Sequence, residues 1–186
     1  MRKLIASAWT TLDGIFDADL MQQWYIPFDS ESRQNHIRSA ILASDAILMG
    51  RSTYEMLAPY WSSLKNNEMG IADKINHSIK YVVSSTLKKA DWNNSVIIRE
   101  NIAGEIMRLK DQPGGEIRIE GSAILVRALM EASLIDEYRM LVHPIVMGAG
   151  RRYFNEGMHT PGLALVRHQV LDKGVIALHY QPQSLS

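Results

Sequence analysis

The chain has 186 residues, 46% hydrophobic and 22% charged, enough for one domain with a sizeable core. Its 20 Lys and Arg balance 20 Asp and Glu, which excludes a general nucleic-acid binder held by surplus positive charge. With no cysteine, disulfides, thiolate catalysis and cysteine-based zinc sites are excluded as well.

Residues 2–9, RKLIASAW, read as a strand with little polar alternation, buried on both faces. Asp13-Gly14 is a turn pair, and 17–29 a loop carrying Trp24, Tyr25 and Pro27. Asp29 or Ser30 caps a helix reaching about residue 43. A second strand, 45–49, runs into GRSTYEML, a short helix, with APYWSSLKNN as a loop beyond it. A helix near 68–77 precedes two strands, KYVVSS and SVIIR, and NIAGEIMRLKDQ is a helix capped by Asn101. EIRIEG is a fifth strand, SAILVRALMEAS a helix, DEYRMLVHPIV a sixth strand and MGAGRRYF a glycine-bearing turn region. LALVRHQV and VIALHYQP close the chain as a hairpin around Asp172-Lys173-Gly174. A two-residue turn at Lys173-Gly174 would set His168 opposite His179.

Strands alternate with helices until about residue 140, and a hairpin ends the chain. This predicts an α/β fold with helices on both faces of a mixed, mostly parallel sheet, one domain over 1–186. The N-terminal stretch lacks the apolar core and cleavage site of a signal peptide, and no run approaches the roughly 20 apolar residues of a membrane span. The expectation is a cytoplasmic protein with neither a membrane nor a nucleic-acid partner.

Ligands of such sheets bind outside the C-terminal ends of parallel strands. Small or polar groups stand at four of those ends: Ser7 and Ala8 with Asp13-Gly14; Gly50, Arg51, Ser52 and Thr53; Ser84, Ser85 and Thr86; and Glu120, Gly121, Ser122 and Ala123. At the last, small residues open a helix whose free N–H groups suit a pyrophosphate; a capped turn with Ser122 as N-cap is the other reading. Arg51 brings a fork-shaped cation suited to phosphate. Ser84 and Ser85 suit a 2′-phosphate or simply form a turn. Together the ends outline a groove for a phosphorylated dinucleotide. The six histidines lack zinc spacing, so no metal is expected, and Arg151-Arg152 reads as a surface or subunit contact.

SAWTTLDGIF, ILMGRSTYE, YVVSSTL, the long segment from Ile117 to Phe154 and the terminal hairpin run in the order of a known family. The chain resembles the dihydrofolate reductase fold, and especially the reductase domain of bacterial bifunctional riboflavin-biosynthesis proteins and their stand-alone relatives. The resemblance implies a three-layer α/β/α fold binding NADPH. Gly50, Arg51, Ser52 and Thr53 would meet its phosphates, Ser84 and Ser85 its 2′-phosphate, Gly121, Ser122 and Ala123 its pyrophosphate, and Ala6 its nicotinamide through the backbone. Fold relatives carry a Gly-Gly pair, often cis, placed here at Glu120-Gly121. Asp13 would orient a substrate or help deliver a proton, equally readable as a turn aspartate. Gly14 lies beside it, and Trp24 would roof an aromatic-ligand pocket or pack a loop. The expected activity is hydride transfer to a small heterocycle, pterin-like or ribosylated-pyrimidine-like. The alternative is a dimeric nucleotide-binding protein of the same fold without turnover. Relatives are commonly dimeric, so a homodimer is expected, with 138–155 at its interface.

Overall fold

The computed structural model describes residues 1–154 and 162–184. Its strands form one sheet in the order β4-β3-β2-β5-β1-β6-β8-β7. β1 (Leu4–Thr11) lies inside the sheet, parallel to β5 (Glu116–Ile119) on one side and β6 (Glu137–His143) on the other. Both its edges are paired, which fits its near-continuous burial. β2 (Ser44–Gly50) pairs in parallel with β5 and with β3 (Ile79–Val83), and β3 with β4 (Ser95–Ile98). The terminal hairpin adds β8 (Ile176–Gln183) antiparallel to β6, with β7 (Gly162–Val170) outermost. The expected α/β/α class and mixed sheet are therefore present.

Alternation along the strands divides the core into two layers. Leu4, Ala6, Ala8, Leu48, Ile117 and Ile119 face one side. There Ile106 and Leu109 of α5 (Ile102–Asp111) and Val126 and Leu129 of α6 (Ala123–Glu131) cover them. Each such aliphatic side chain stabilises by roughly 1.5–3 kcal/mol when fully buried. On the other side Ile47, Met49 and Val82 meet Ile41 of α2 (Glu31–Leu42), Tyr54 of α3 (Arg51–Ser63) and Ile75 of α4 (Ala72–His77). α2 buries only Arg33 and Ile41, so little of it packs on the sheet as an apolar face.

Several local expectations change. The loop at 17–29 holds three short helical segments, Ala18–Leu20, α1 (Met21–Trp24) and Ile26–Phe28. Ser30, not Asp29, caps α2, its hydroxyl accepting the Arg33 N–H; the Asp29 carboxylate instead accepts from Arg33 and Gln34. α3 continues through Pro59 to Ser63, because Leu57, Ala58 and Trp61 pack on the buried cluster around Tyr54. Asn101 precedes α5 with a positive φ and gives no side-chain cap. The hairpin turns through Leu171–Val175, so Arg167 and not His168 stands opposite His179. The cis peptide is Gly121–Ser122, not Glu120–Gly121, and the irregular backbone centres on Gly121, whose φ of 110° suits glycine. Residue 155 of the expected interface and His159 lie outside the described residues. Among those described, no helix is long and apolar enough to cross a membrane.

Candidate cofactor and substrate site

β2 and β5 end side by side, and each turns directly into a helix. The Gly50 N–H donates to the Gly121 carbonyl at 3.1 Å, tying the two turns together. A Cβ on Gly50 would lie 3.3 Å from Ser122 Oγ, and one on Gly121 3.4 Å from Thr53 Oγ1. Gly50, Thr53, Gly121 and Ser122 thus form one cluster at the rim, with Arg51, Ser52 and Ala123 adjoining it in the chain. Neither α3 nor α6 carries a side-chain cap at its N-terminus; the Ser122 hydroxyl makes no such bond. Two uncapped helix starts side by side present backbone donors and partial positive charge to an anion.

Arg51 is half exposed, 3.6 Å from Glu55. Gly50 pairs with Val83, so Ser84 and Ser85 leave their strand beside the start of α3. The Ser84 hydroxyl accepts the Thr86 and Leu87 N–H groups at 3.2 and 2.9 Å, while Ser85 is exposed. A groove of about 400 Å³ beside them is lined by Gly50, Arg51, Val83, Ile102, Ser122 and Ile124 among others; Ser84 and Ser85 do not line it. Ala6 is fully buried in the core, and the next two residues, Ser7 and Ala8, line the main cavity.

That cavity, about 1450 Å³, runs across the sheet face beneath α2 and reaches Phe16, Ser52, Thr53, Ser122 and Ala123 at the rim. Its floor carries a transverse polar row. Ser7 pairs with Arg139, Arg139 with His179, and His179 with Arg167 across four strands. Ala6 pairs with Ile119, which brings Glu120 level with Ser7 on the other side. The row is ion-paired. Arg118 meets Glu120 at 2.6 Å. Arg139 grips both oxygens of Glu116 at 2.6 and 2.7 Å and bonds Glu137 through Nε at 2.7 Å. Arg118 Nε is buried without a hydrogen-bond partner among the described residues. Burial holds His36 and His179 below the usual histidine range.

One wall is aromatic. Trp9 stacks on Tyr25 with ring centroids 4.8 Å apart, and the Arg33 guanidinium lies 3.8 Å over the far ring. Arg33 is itself fixed by Asp29 at 2.8 Å, the Tyr25 carbonyl at 2.8 Å and His143 Nε2 at 3.2 Å. Trp9 and Trp24 line the cavity, and the Trp24 indole donates to the Asp17 carbonyl.

A second wall joins the chain after β1 to the chain after β6. Asp13 accepts from the Thr11 hydroxyl and from the Met147 and Gly148 N–H groups. The Thr11 hydroxyl foremost pulls its pKa down to about 2. Asp17 accepts from the Arg151 side chain and backbone, and Arg151 foremost lowers its pKa to about 2. Asp13 and Gly14 do not line the cavity; Phe16 and Asp17 do.

The structure therefore brings Gly50, Thr53, Gly121 and Ser122 together, sets Arg51, Ser52 and Ala123 next to them, and puts Trp24 in the cavity. It leaves Ala6 in the core, Ser84 in a turn and Asp13 in a loop tether. Trp9, Arg118 and Arg139 were not anticipated, and Glu120, expected at the strand end beside the phosphate site, lines the cavity with Arg118; the charge alternation in EIRIE was the available signal. Among the described residues no group of three acidic or histidine side chains could hold a metal.

A family model, that of the RibD C-terminal domain, matches residues 2–177. The uncharacterized protein YyaP of Bacillus subtilis (strain 168) is 28% identical over 184 residues, spanning 96% of this chain and 94% of that protein. A solved structure from Shewanella sp. PV-4, named for riboflavin biosynthesis, has TM-score 0.76 at 18% identity over 98% of this chain and 99% of its own. Dihydrofolate reductase from Enterococcus faecalis, complexed with NADP(H), has TM-score 0.64 at 14% identity over 98% and 97%. The chain belongs to the RibD C-terminal domain family.

Proposed function

We propose that this member of the RibD C-terminal domain family is an NADPH-dependent reductase of a small planar heterocycle, pyrimidine- or pterin-like. The observation carrying this reading is the pair of uncapped helix starts joined through Gly50 and Gly121, opening onto a cavity with an aromatic wall. The E. faecalis neighbour named with NADP(H) and the Shewanella neighbour named for riboflavin biosynthesis support it.

The residues fit the cofactor: Gly50 and Gly121 leave no side chain between the two helix starts, where a Cβ on Gly50 would press on Ser122 and one on Gly121 would stand against Thr53. Gly50, Ser52, Thr53, Gly121, Ser122 and Ala123 would hold the pyrophosphate. Arg51, with Ser85 and the outward side of Ser84, would hold the 2′-phosphate. The backbone from Ala6 into Ser7 and Ala8 would border the nicotinamide. Bound there, NADPH supplies the hydride. The chain supplies orientation: Trp9, backed by Tyr25 and Arg33, holds the ring plane, while Arg118 and Glu120 read its polar edge. Phe16 and Trp24 keep water from the reacting face. Asp13, held ionised, acts by fixing the wall with Gly14 rather than as an acid.

The tethering role of Asp13 favours the second reading, a dimeric nucleotide-binding protein without turnover. Thermal shifts with NADPH, NADH and 2′-phospho-AMP test the site. NADPH should stabilise far more than NADH, and Arg51→Ala should weaken NADPH about tenfold or more while sparing NADH. Equal losses for both cofactors would remove Arg51 from the 2′-phosphate. NADPH binding without oxidation across a panel of pyrimidines and pterins would favour the second reading. The homodimer is carried forward too, since Leu165, Val166 and Val170 of the outermost strand are exposed apolar groups; sedimentation tests it.

A further inference from the structure

We infer that His143 is a positioning residue: buried and uncharged, it ties the strand end that carries Trp9 to the Arg33 guanidinium that backs Tyr25, and so sets the plane of the cavity's aromatic wall. That the wall holds a ring rests on the heterocycle reading above; the tie itself does not.

His143 closes β6 and is completely buried. Trp24, Tyr25 and Phe28 surround its ring, with centroids 5.3, 5.4 and 5.9 Å away. Both ring nitrogens are engaged. Nε2 lies 3.2 Å from Arg33 Nη1, and Nδ1 lies 3.0 Å from the Thr10 carbonyl. A guanidinium can only donate and a carbonyl can only accept. Nε2 therefore accepts from Arg33, while Nδ1 carries the proton and donates to Thr10. One tautomer of the neutral ring satisfies both bonds, and no other state does.

Each bond reaches one ring of the stack. Thr10 follows Trp9 directly on β1, so the bond to its carbonyl holds the backbone from which Trp9 projects. The same Arg33 Nη1 also donates to the Tyr25 carbonyl at 2.8 Å, and the guanidinium lies over the Tyr25 ring. Tyr25 in turn stacks on Trp9. Trp9 thus feels His143 through Thr10 on one side and through Arg33 and Tyr25 on the other.

Protonation would break the tie. It removes the Nε2 acceptor and sets a second cation against Arg33. The other charges on the elements around the ring are Asp29 and Lys173. Asp29 already accepts from Arg33 and Gln34, and Lys173 of the hairpin turn donates to the Pro27 carbonyl. Burial foremost, and Arg33 besides, hold the His143 pKa below its ordinary 6.5. The tie is therefore intact at neutral pH and lost as pH falls through that lowered value.

Fluorine NMR of protein carrying 5-fluorotryptophan reads the four tryptophans separately, and the line missing from Trp9→Phe is that of Trp9. Trp61 and Trp92, in the cluster around Tyr54, are internal controls of the fold. His143→Leu removes donor and acceptor together. It should shift and broaden the Trp9 line and leave those of Trp61 and Trp92 in place. His143→Gln, whose amide keeps one donor and one acceptor, should restore the Trp9 line. An unchanged Trp9 line in a folded His143→Leu protein overturns the inference, as does a glutamine variant that behaves like the leucine one. Where the leucine variant does not fold, acid titration decides. The wild-type Trp9 line should move below pH 6.5 while the control lines hold, and in His143→Gln it should stay. The same acid response in both proteins overturns the inference. Both arms are read without ligand. Failure of pyrimidines and pterins to bind would sink the heterocycle reading and leave the tie standing; an immobile Trp9 line would do the reverse.

Discussion

Gly50 and Gly121 stand at equivalent strand-to-helix turns yet differ in what they tolerate. Gly50 has φ −81°, open to any residue, and an added Cβ would press on the Ser122 hydroxyl at 3.3 Å, a group that can rotate. Gly121 has φ 110°, which L residues rarely adopt, while its added Cβ meets Thr53 Oγ1 at only 3.4 Å. The conformation, not the space, is what Gly121→Ala would violate. It should destabilise the fold by about 1–3 kcal/mol, read in urea midpoints, and cost NADPH binding as well. Gly50→Ala should keep its stability and lose affinity alone. A Gly121→Ala protein as stable as wild type would mean that the turn relaxes freely. At this scale the rim was legible, because Gly, Ser and Thr at strand ends have few other uses. Glu120 was placed near the phosphate site. The alternation in EIRIE already sets it on one face with Arg118 and Glu116, opposite Ile117 and Ile119; which layer that face meets is shown only by the packed structure.

The elements were legible wherever the hydrophobic period was uninterrupted, and misread where a single residue outweighed it. Tyr54, Leu57, Ala58 and Trp61 follow helical spacing and pack as one face, so α3 runs on through Pro59. The hairpin register slipped by one because the loop spans Leu171–Val175, and register follows loop length. What no periodicity shows is the joining of two loops, and here Asp17 is central. Its carboxylate accepts from the Arg151 backbone and side chain, fixing the wall that carries Phe16. With Arg151 foremost holding its pKa at about 2, below the ordinary 3.8, the folded form binds the proton less tightly than the unfolded chain. Its contribution is therefore present above about pH 4 and lost as pH falls toward 2. Asp17→Asn should melt below wild type at pH 6, and the gap should close in thermal scans taken from pH 5 down to 2. A gap that stays constant would show that the ion pair carries none of the acid dependence.

The whole molecule should show the opposite behaviour on its alkaline side, because its buried titratable groups pull in two directions. Lys80 is completely buried on β3, its amino group donating to the Ile75 and Asn76 carbonyls at the end of α4 and lying 4.6 Å over the Trp92 ring. Burial pushes its pKa down from 10.5 to about 8. Between those values the unfolded chain holds the proton that the folded chain has released, so stability rises with pH across that window. Tyr138 and Tyr153 act in reverse. Burial raises both, Tyr138 to about 12, so above pH 10 the unfolded chain ionises first and stability falls. The expected outcome is a stability maximum between about pH 8 and 10, higher than the near-neutral maximum common among proteins. Lys80→Met separates the two effects. It leaves two carbonyls without their donor, costing about 1–3 kcal/mol at neutral pH, but it also removes the lysine titration. Chemical denaturation from pH 7 to 10 should then show the gap between wild type and variant widening with pH, while both fall together above pH 10. A gap that does not change would mean that the lysine keeps its ordinary pKa inside the fold.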